Sequence, residues 1–260
     1  MSAGRFLTGS TMGHVVRMTT TGAFGITFVF IVDAANLLWL SQLGDARLVA
    51  AIGFAYAIQF FSVSIAVGLM IAATAVISRS IGEGQRNKAR RQAGAALLIA
   101  AVTLTLVSSV IVFMRHDLVA LAGAEGETAR LAARYLAMTM FSLIPMSGAL
   151  ICSGALRADG YGAKAMFITL ISGLVLMVLD PIMIFWLEWG LDGAAIGLVL
   201  FRCCLLGLAV FFAIIQMKLV VRPRLSTLRN IVGPYVRVAL PAELTHAQRV
   251  ELVRAFAQEQ

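Results

Sequence analysis

The sequence predicts an all-α, polytopic membrane protein with six transmembrane helices, and three observations carry that reading. Of the 260 residues, 60% are apolar and only 13% charged, with a mean hydropathy of +0.91. A soluble domain is about half apolar and about a quarter charged. Six apolar runs reach the roughly 20 residues that a helix needs to cross a bilayer. Basic residues gather on alternate loops, as in a chain threaded back and forth through a membrane. Composition alone excludes a water-soluble globular enzyme.

The first run covers residues 19–40. The segment 1–18 before it holds Arg5, His14 and Arg17 but no short apolar stretch ending in a cleavage site. It does not read as a signal peptide, so insertion rests on the first span. The second run, 48–77, begins after the turn signal Gly44-Asp45 and is long enough to tilt or protrude. Gly82-Glu83-Gly84 separates it from the third run, 93–113. Gly123 to Glu127 precede the fourth, 135–155, and Asp159-Gly160 the fifth, 165–187. The sixth, 194–217, follows Gly190 to Gly193. Runs this long without two-residue alternation are helices, because lipid satisfies no backbone polar group.

Orientation follows from the charges. Arg5 and Arg17, then Arg79, Arg86, Lys88, Arg90 and Arg91, then Arg157 and Lys164, fall on one side. Lys218, Arg222, Arg224, Arg229, Arg237, Arg249 and Arg254 join them after the sixth run, sixteen in all. The other side holds four: Arg47, Arg115, Arg130 and Arg134. Both termini are therefore expected in the cytoplasm of a bacterial inner membrane. Topology accounts for most of the net charge of +8, so lipid is the expected surrounding and nucleic acid is not an expected partner.

No catalytic set is present. His14, His116 and His246 fall in separate segments, none beside an intramembrane nucleophile. Cys152, Cys203 and Cys204 form no CxxC pair and no Cys/His cluster, and read as small packing residues. No glycine-rich stretch has the GxxxxGK[ST] pattern. No enzyme activity, metal or cofactor is expected.

Ionisable groups inside spans are costly and usually functional. Asp33, Asp180 and Arg202 lie about seven or eight residues from the outer ends of spans one, five and six. At about 1.5 Å per residue they are expected at one depth, roughly 10–12 Å in. A buried carboxylate that binds and releases a proton as its cavity opens to either side couples transport to an ion gradient. Asp33 and Asp180 are the candidates for that cation or proton coupling; a structural Asp180–Arg202 pair is the alternative. Asn36, one turn from Asp33, and Gln59, at similar depth on span two, are expected to line a polar cavity with Arg202 or to tie helices together. Pro181, directly after Asp180, and Pro145 each remove a backbone donor and are expected to kink spans five and four. Gly193-x-x-x-Gly197 opens span six with a small face for close contact. The 12 methionines read as adaptable packing that suits a permissive substrate cavity.

Several stretches, in order, resemble one family. Val32 to Gly44 (VDAANLLWLSQLG) is similar to the first helix of multidrug and toxic compound extrusion (MATE) transporters. Ile77 to Gly84 (ISRSIGEG), with Ala89-Arg90-Arg91, resembles the loop between that family's second and third spans. Gly154 to Gly160 (GALRADG) resembles its loop after span four. Leu179 to Phe185 (LDPIMIF) and Gly193-Ala194-Ala195 resemble spans five and six. The resemblance runs over residues 12–242. It implies outward antiport of organic cations or drugs against H+ or Na+, with Asp33 and Asp180 at the acidic positions of the N-lobe ion site. Similar proteins often place Asn one turn before the second acid; Leu176 stands there, a less polar site that counts against sodium coordination more than against proton coupling and leaves both ions open.

The family is built from two six-helix lobes, and this chain matches the N-terminal one. Its expected organisation is a cytoplasmic segment 1–18, a six-helix lobe 19–220, a cytoplasmic linker 221–242 and a soluble helical tail 243–260. Ile231 to Ala242 is too short an apolar run for a seventh span. In the tail, Thr245 to Gln248 fits a capping box, and Val250, Val253, Phe256 and Ala257 form an amphipathic face. Leu244 to Gln258 resembles a segment of plasmid mobilisation relaxases, so the tail reads either as a docking helix or as the scar of a truncating fusion. A second lobe, from another chain or a second copy in a homodimer, is an expected partner. The alternatives are a lipid-linked saccharide flippase of related architecture and an inactive truncated fusion fragment.

Overall fold

The structure, a computed structural model, describes residues 11–216. The linker and tail expected at 221–242 and 243–260 lie outside the described residues.

Described residues form helices joined by short turns. In order they are α1 (Thr11–Ser41), α2 (Ala46–Gly82), α3 (Arg86–Phe113), a short α4 (Arg115–Leu121) and α5 (Gly126–Thr139). A 3-10 turn, Met140–Ser142, leads into α6 (Leu143–Ala158). Then come α7 (Gly162–Pro181) with a π turn at Ile182–Trp186, and α8 (Gly190–Val210) with a π turn at Phe211–Gln216. Five stretches are long and apolar enough to cross a membrane: α2, α3, α5 with α6, α7 with its π turn, and α8. The 31 residues of α1, about 46 Å of helix, occupy the place of the first predicted span and lie against α7.

The helices outrun the apolar stretches that predict them. α2 has 37 residues, about 55 Å against a hydrocarbon core of about 30 Å. Its polar ends stay helical because side chains satisfy them. Asp45 Oδ1 accepts from the Arg47 backbone N–H at 2.9 Å and from Arg47 Nε at 3.0 Å. These bonds hold the Asp45 carboxyl below the usual carboxylate range. At the far end Arg79 Nε donates to Glu83 Oε1 at 3.0 Å. α5 likewise begins outside the predicted fourth run, with the Arg130 guanidinium bonded to both oxygens of Glu127.

On the face opposite Asp45, the chain turns through Gly84 and Gly160, both left-handed with φ of 74° and 86°. Arg86 Nη2 lies 2.7 Å from Asp159 Oδ2, fastening the two turns together.

Small residues share the interior with large ones such as Leu104, Leu136 and Ile151, and large apolar residues also face outward. Ala51, Ala55, Ala72, Ala95, Ala155 and Ala194 are fully buried, as is Cys152, while Phe60, Phe61, Leu106, Phe113 and Trp186 project outward. Lipid supplies no hydrophobic force between helices, so close approach through small residues holds them. Gly154 shows how close: a Cβ there would stand 2.5 Å from Thr74 Oγ1 on α2. α2 packs on α3, α5 and α6, and α8 on α6 and α7.

Candidate functional site

Two spans break, and two clusters of buried polar residues lie near the breaks. Pro181 closes α7 and, lacking N–H, leaves the Met177 carbonyl without its usual donor. A π turn takes over, in which the Leu187 N–H reaches the Ile182 carbonyl at 3.0 Å. π turns of this kind frequently mark functional sites. In span four the 3-10 turn interrupts the helix, and Pro145 stands in the first turn of α6, where its missing donor is tolerated.

Asp180 is 1% exposed. Its Oδ2 accepts from Asn36 Nδ2 at 2.7 Å, and Asn36 Oδ1 accepts from the Tyr56 hydroxyl at 3.4 Å. Oδ1 accepts no hydrogen bond among the described residues. It faces α8 at Gly197, where a Cβ would lie 2.4 Å from Oδ1 and 3.4 Å from Leu176 Cδ1. One turn earlier a Cβ on Gly193 would lie 2.7 Å from the Met183 carbonyl oxygen. The bare Gly193/Gly197 face is what lets α8 lie against the break in α7.

A second cluster surrounds Arg202, 5% exposed. Nη1 donates to Ser142 Oγ at 2.7 Å and to the Thr139 carbonyl at 3.2 Å; Nη2 donates to Gln59 Oε1 at 3.1 Å. Gln59 Nε2 donates to Thr139 Oγ1 at 2.9 Å. The guanidinium thus caps the carboxyl end of α5, where spare carbonyls form the negative end of the helix dipole. This is how the bundle accommodates a cation among neutral oxygens. Tyr56 and Tyr135 join the clusters, their rings edge to face at 6.2 Å.

The structure therefore brings Asn36 to Asp180, and Gln59 to Arg202. It does not form the alternative Asp180–Arg202 ion pair, which is absent among the described residues. Nor do the two groups share one depth. Gln59 and Thr139 lie three and four residues beyond Tyr56 and Tyr135, so the Arg202 cluster sits about 5 Å further from the Asp45 face. Asp33 is on α1, three residues before Asn36; its side chain lies outside the described residues. Tyr56, Tyr135, Thr139 and Ser142 are additional members that the sequence reading lacks. Their signal was present in the spacing: Tyr56 is one turn from Gln59, and Tyr135, Thr139 and Ser142 recur at helical intervals.

Known proteins share this fold. The chain is 22% identical over 254 residues to a protein of Shewanella oneidensis described as "FAD transporter", covering 89% of this chain and 56% of that one. It is 27% identical over 228 residues to "Probable multidrug resistance protein NorM" of Bradyrhizobium diazoefficiens, covering 83% and 47%. The fold matches that of a MOP superfamily transporter from Pyrococcus furiosus at a TM-score of 0.84 and 23% identity, over 94% of this chain and 54% of that one. It also matches the Vibrio cholerae MATE transporter VcmN at a TM-score of 0.81 and 25% identity, over 95% and 56%. The chain spans about half the length of these relatives. The family model described as MatE matches residues 22–182, more than half of the chain, which therefore belongs to the MatE family of membrane transporters.

Proposed function

We propose that this chain is the N-terminal lobe of a proton-coupled exporter of organic cations or drugs, in a bacterial inner membrane with both termini cytoplasmic. The observation that carries the coupling is Asp180: a carboxylate buried in the bundle, at a helix break, with one oxygen bonded to Asn36 and the other facing the bare surface of Gly197. A single hydrogen bond leaves the charged form poorly compensated in a low dielectric, and a proton relieves that cost. Asp33, on the same helix as Asn36, is the second coupling acid. Oδ1 lies tight against the bare backbone of Gly197, which Leu176 also approaches, and neither residue offers a side-chain oxygen. Sodium seeks several oxygen ligands, so these neighbours support H+ as the coupling ion. No cofactor takes part. The path for substrate requires a second lobe, supplied by another chain or by a second copy.

The test is dye efflux from vesicles containing the chain, driven by an imposed pH gradient. Proton-driven flux that Asp33→Asn and Asp180→Asn each abolish supports the reading. Flux indifferent to both substitutions overturns the coupling role, and no flux with or without a co-expressed second lobe overturns export.

A further inference from the structure

The face opposite Asp45 carries more positive charge than its own acids balance. Residues 79–91 and 157–164 hold seven Lys and Arg residues against two acids, Glu83 and Asp159. Glu83 pairs with Arg79 and Lys88, and Asp159 with Arg86. Both acids are thus engaged before Arg90 is reached. Arg90 makes no hydrogen bond or ion pair among the described residues, and its Nε is buried without an acceptor. Membrane topology explains why basic residues collect on one face. It does not explain why one of them is drawn against the bundle with a donor unmet, which is a costly state.

The place of Arg90 is fixed from both ends of its helix face. Arg86, one turn before it on α3, meets Asp159 at 2.7 Å in the turn that leads into α7. Leu97, two turns after it, packs in one apolar cluster with Tyr161 and with Phe212 on the π turn after α8. Lys164, in the first turn of α7, stands over those same two rings. Its Nζ is 5.1 Å from the Tyr161 centroid and 5.7 Å from that of Phe212, close enough for the ring faces to attract the ammonium. A guanidinium and an ammonium therefore meet the rim of one aromatic cluster. On the same three elements Leu98, Phe167 and Phe211 are exposed.

We propose that Arg90 and Lys164 form a site for the phosphate of an anionic phospholipid. The guanidinium supplies a two-pronged hydrogen bond to phosphate oxygens, and the ammonium a compact charge. Leu98, Phe167 and Phe211 receive the acyl chains, which a free phosphate lacks. Basic pockets between membrane helices on the cytoplasmic side recognise lipid headgroups in this way, and this face is the cytoplasmic one in the orientation proposed above. The site uses none of the coupling residues. A phosphate held there bridges α3 to α7 beside the Arg86–Asp159 pair, so bound lipid raises the stability of the lobe.

The full chain in detergent tests the site by titration with dioctanoyl phosphatidylglycerol, dioctanoyl phosphatidylcholine or inorganic phosphate. Native mass spectrometry reads binding, and the thermal midpoint reads its effect. The anionic lipid is expected to bind and to raise the midpoint; the choline lipid and inorganic phosphate, at equal concentration, are expected to do neither. Arg90→Gln and Lys164→Gln are each expected to weaken binding about tenfold, the loss of roughly one charge-assisted hydrogen bond. Arg91→Gln, exposed at the next position of α3, is expected to weaken it less than about twofold. Without lipid, Arg90→Gln is expected to melt no lower than the parent, because it removes an unmet donor. Equal binding of the two lipids, or equal losses in Arg90→Gln and Arg91→Gln, overturns the site. A lower lipid-free midpoint in Arg90→Gln also overturns it, since the arginine then serves the bundle itself. Stabilisation by inorganic phosphate that matches the anionic lipid overturns the assignment to lipid. Binding in detergent depends neither on flux nor on orientation, so this site and the transport reading fail separately.

Discussion

Asn36 and Asp180 are 144 positions apart in the chain and share a 2.7 Å hydrogen bond at the point where α7 breaks. The bond fastens α1 to α7 by a buried polar contact. Asn36→Ala leaves Asp180 Oδ2 without this donor, and a buried acceptor stripped of its partner costs about 1–3 kcal/mol. A lower thermal midpoint in detergent is expected, with Asn36→Asp lower still because it sets a second carboxylate against the first.

Gly197 and Gly193 predict a graded response. Each Cβ overlaps a neighbour, at 2.4 Å from Asp180 Oδ1 and 2.7 Å from the Met183 carbonyl. Overpacking of this kind costs about 1–3 kcal/mol. Gly193→Ala is expected to be the worse for stability, because backbone is displaced there. Gly197→Ala is expected to be the worse for proton-driven flux, because the carboxylate itself must move. Thermal midpoints and initial efflux rates, measured on both variants, separate the two effects.

Arg202→Met removes the donors shared by Thr139, Ser142 and Gln59. Destabilisation of about 1–3 kcal/mol is expected from the oxygens left buried. Arg202→Lys, which keeps the charge but not the fork, is expected to recover only part of it. Equal midpoints for both variants and the parent would show that the cap on α5 carries no weight.

Leu176→Asn places an amide at the contact of Asp180 with Gly197. The expected outcome is a sodium-dependent component of efflux at constant pH, absent from the parent. Vesicle flux with sodium and potassium exchanged reads it directly.

Asp45 gives the acid-side prediction. Its carboxyl is held below its ordinary value of 3.8 by hydrogen bonds from Arg47. A group whose native pKa is depressed adds stability above its unfolded pKa and loses it as pH falls through the native one. Asp45→Asn keeps a capping oxygen but no charge. Its deficit in thermal midpoint is therefore expected at neutral pH and should shrink below about pH 4, as the parent's carboxyl also becomes neutral.

What could be read from sequence was what depends on local chemistry. Apolar run length fixes where spans fall, and Gly84 and Gly160 sit at left-handed turns where the sequence expects turns. Helix ends were less legible, because caps such as Asp45 and pairs such as Arg79–Glu83 extend helices past the apolar runs. Residues of the site were legible when their charge was anomalous in lipid, as at Asp180 and Arg202. Tyr56, Thr139 and Ser142 carry no such anomaly; their roles come from helix partners distant in sequence. The Asp180–Arg202 alternative failed for the same reason: matching charges on two spans do not reveal that the carboxyl end of α5 competes for the arginine.

The buried alanines and glycines at the helix contacts, with Phe60 and Phe113 turned outward, widen the usual map of mutational risk. Trimming Phe60 or Phe113 to alanine leaves a gap that an acyl chain fills. Enlarging Ala55, Ala95 or Ala155 by two carbons pushes whole helices apart, and with them the few hydrogen bonds that cross the bundle. In this chain the plain side chains at the helix contacts are as exacting as the large buried ones, and a survey that ranks positions by side-chain size alone would pass them over.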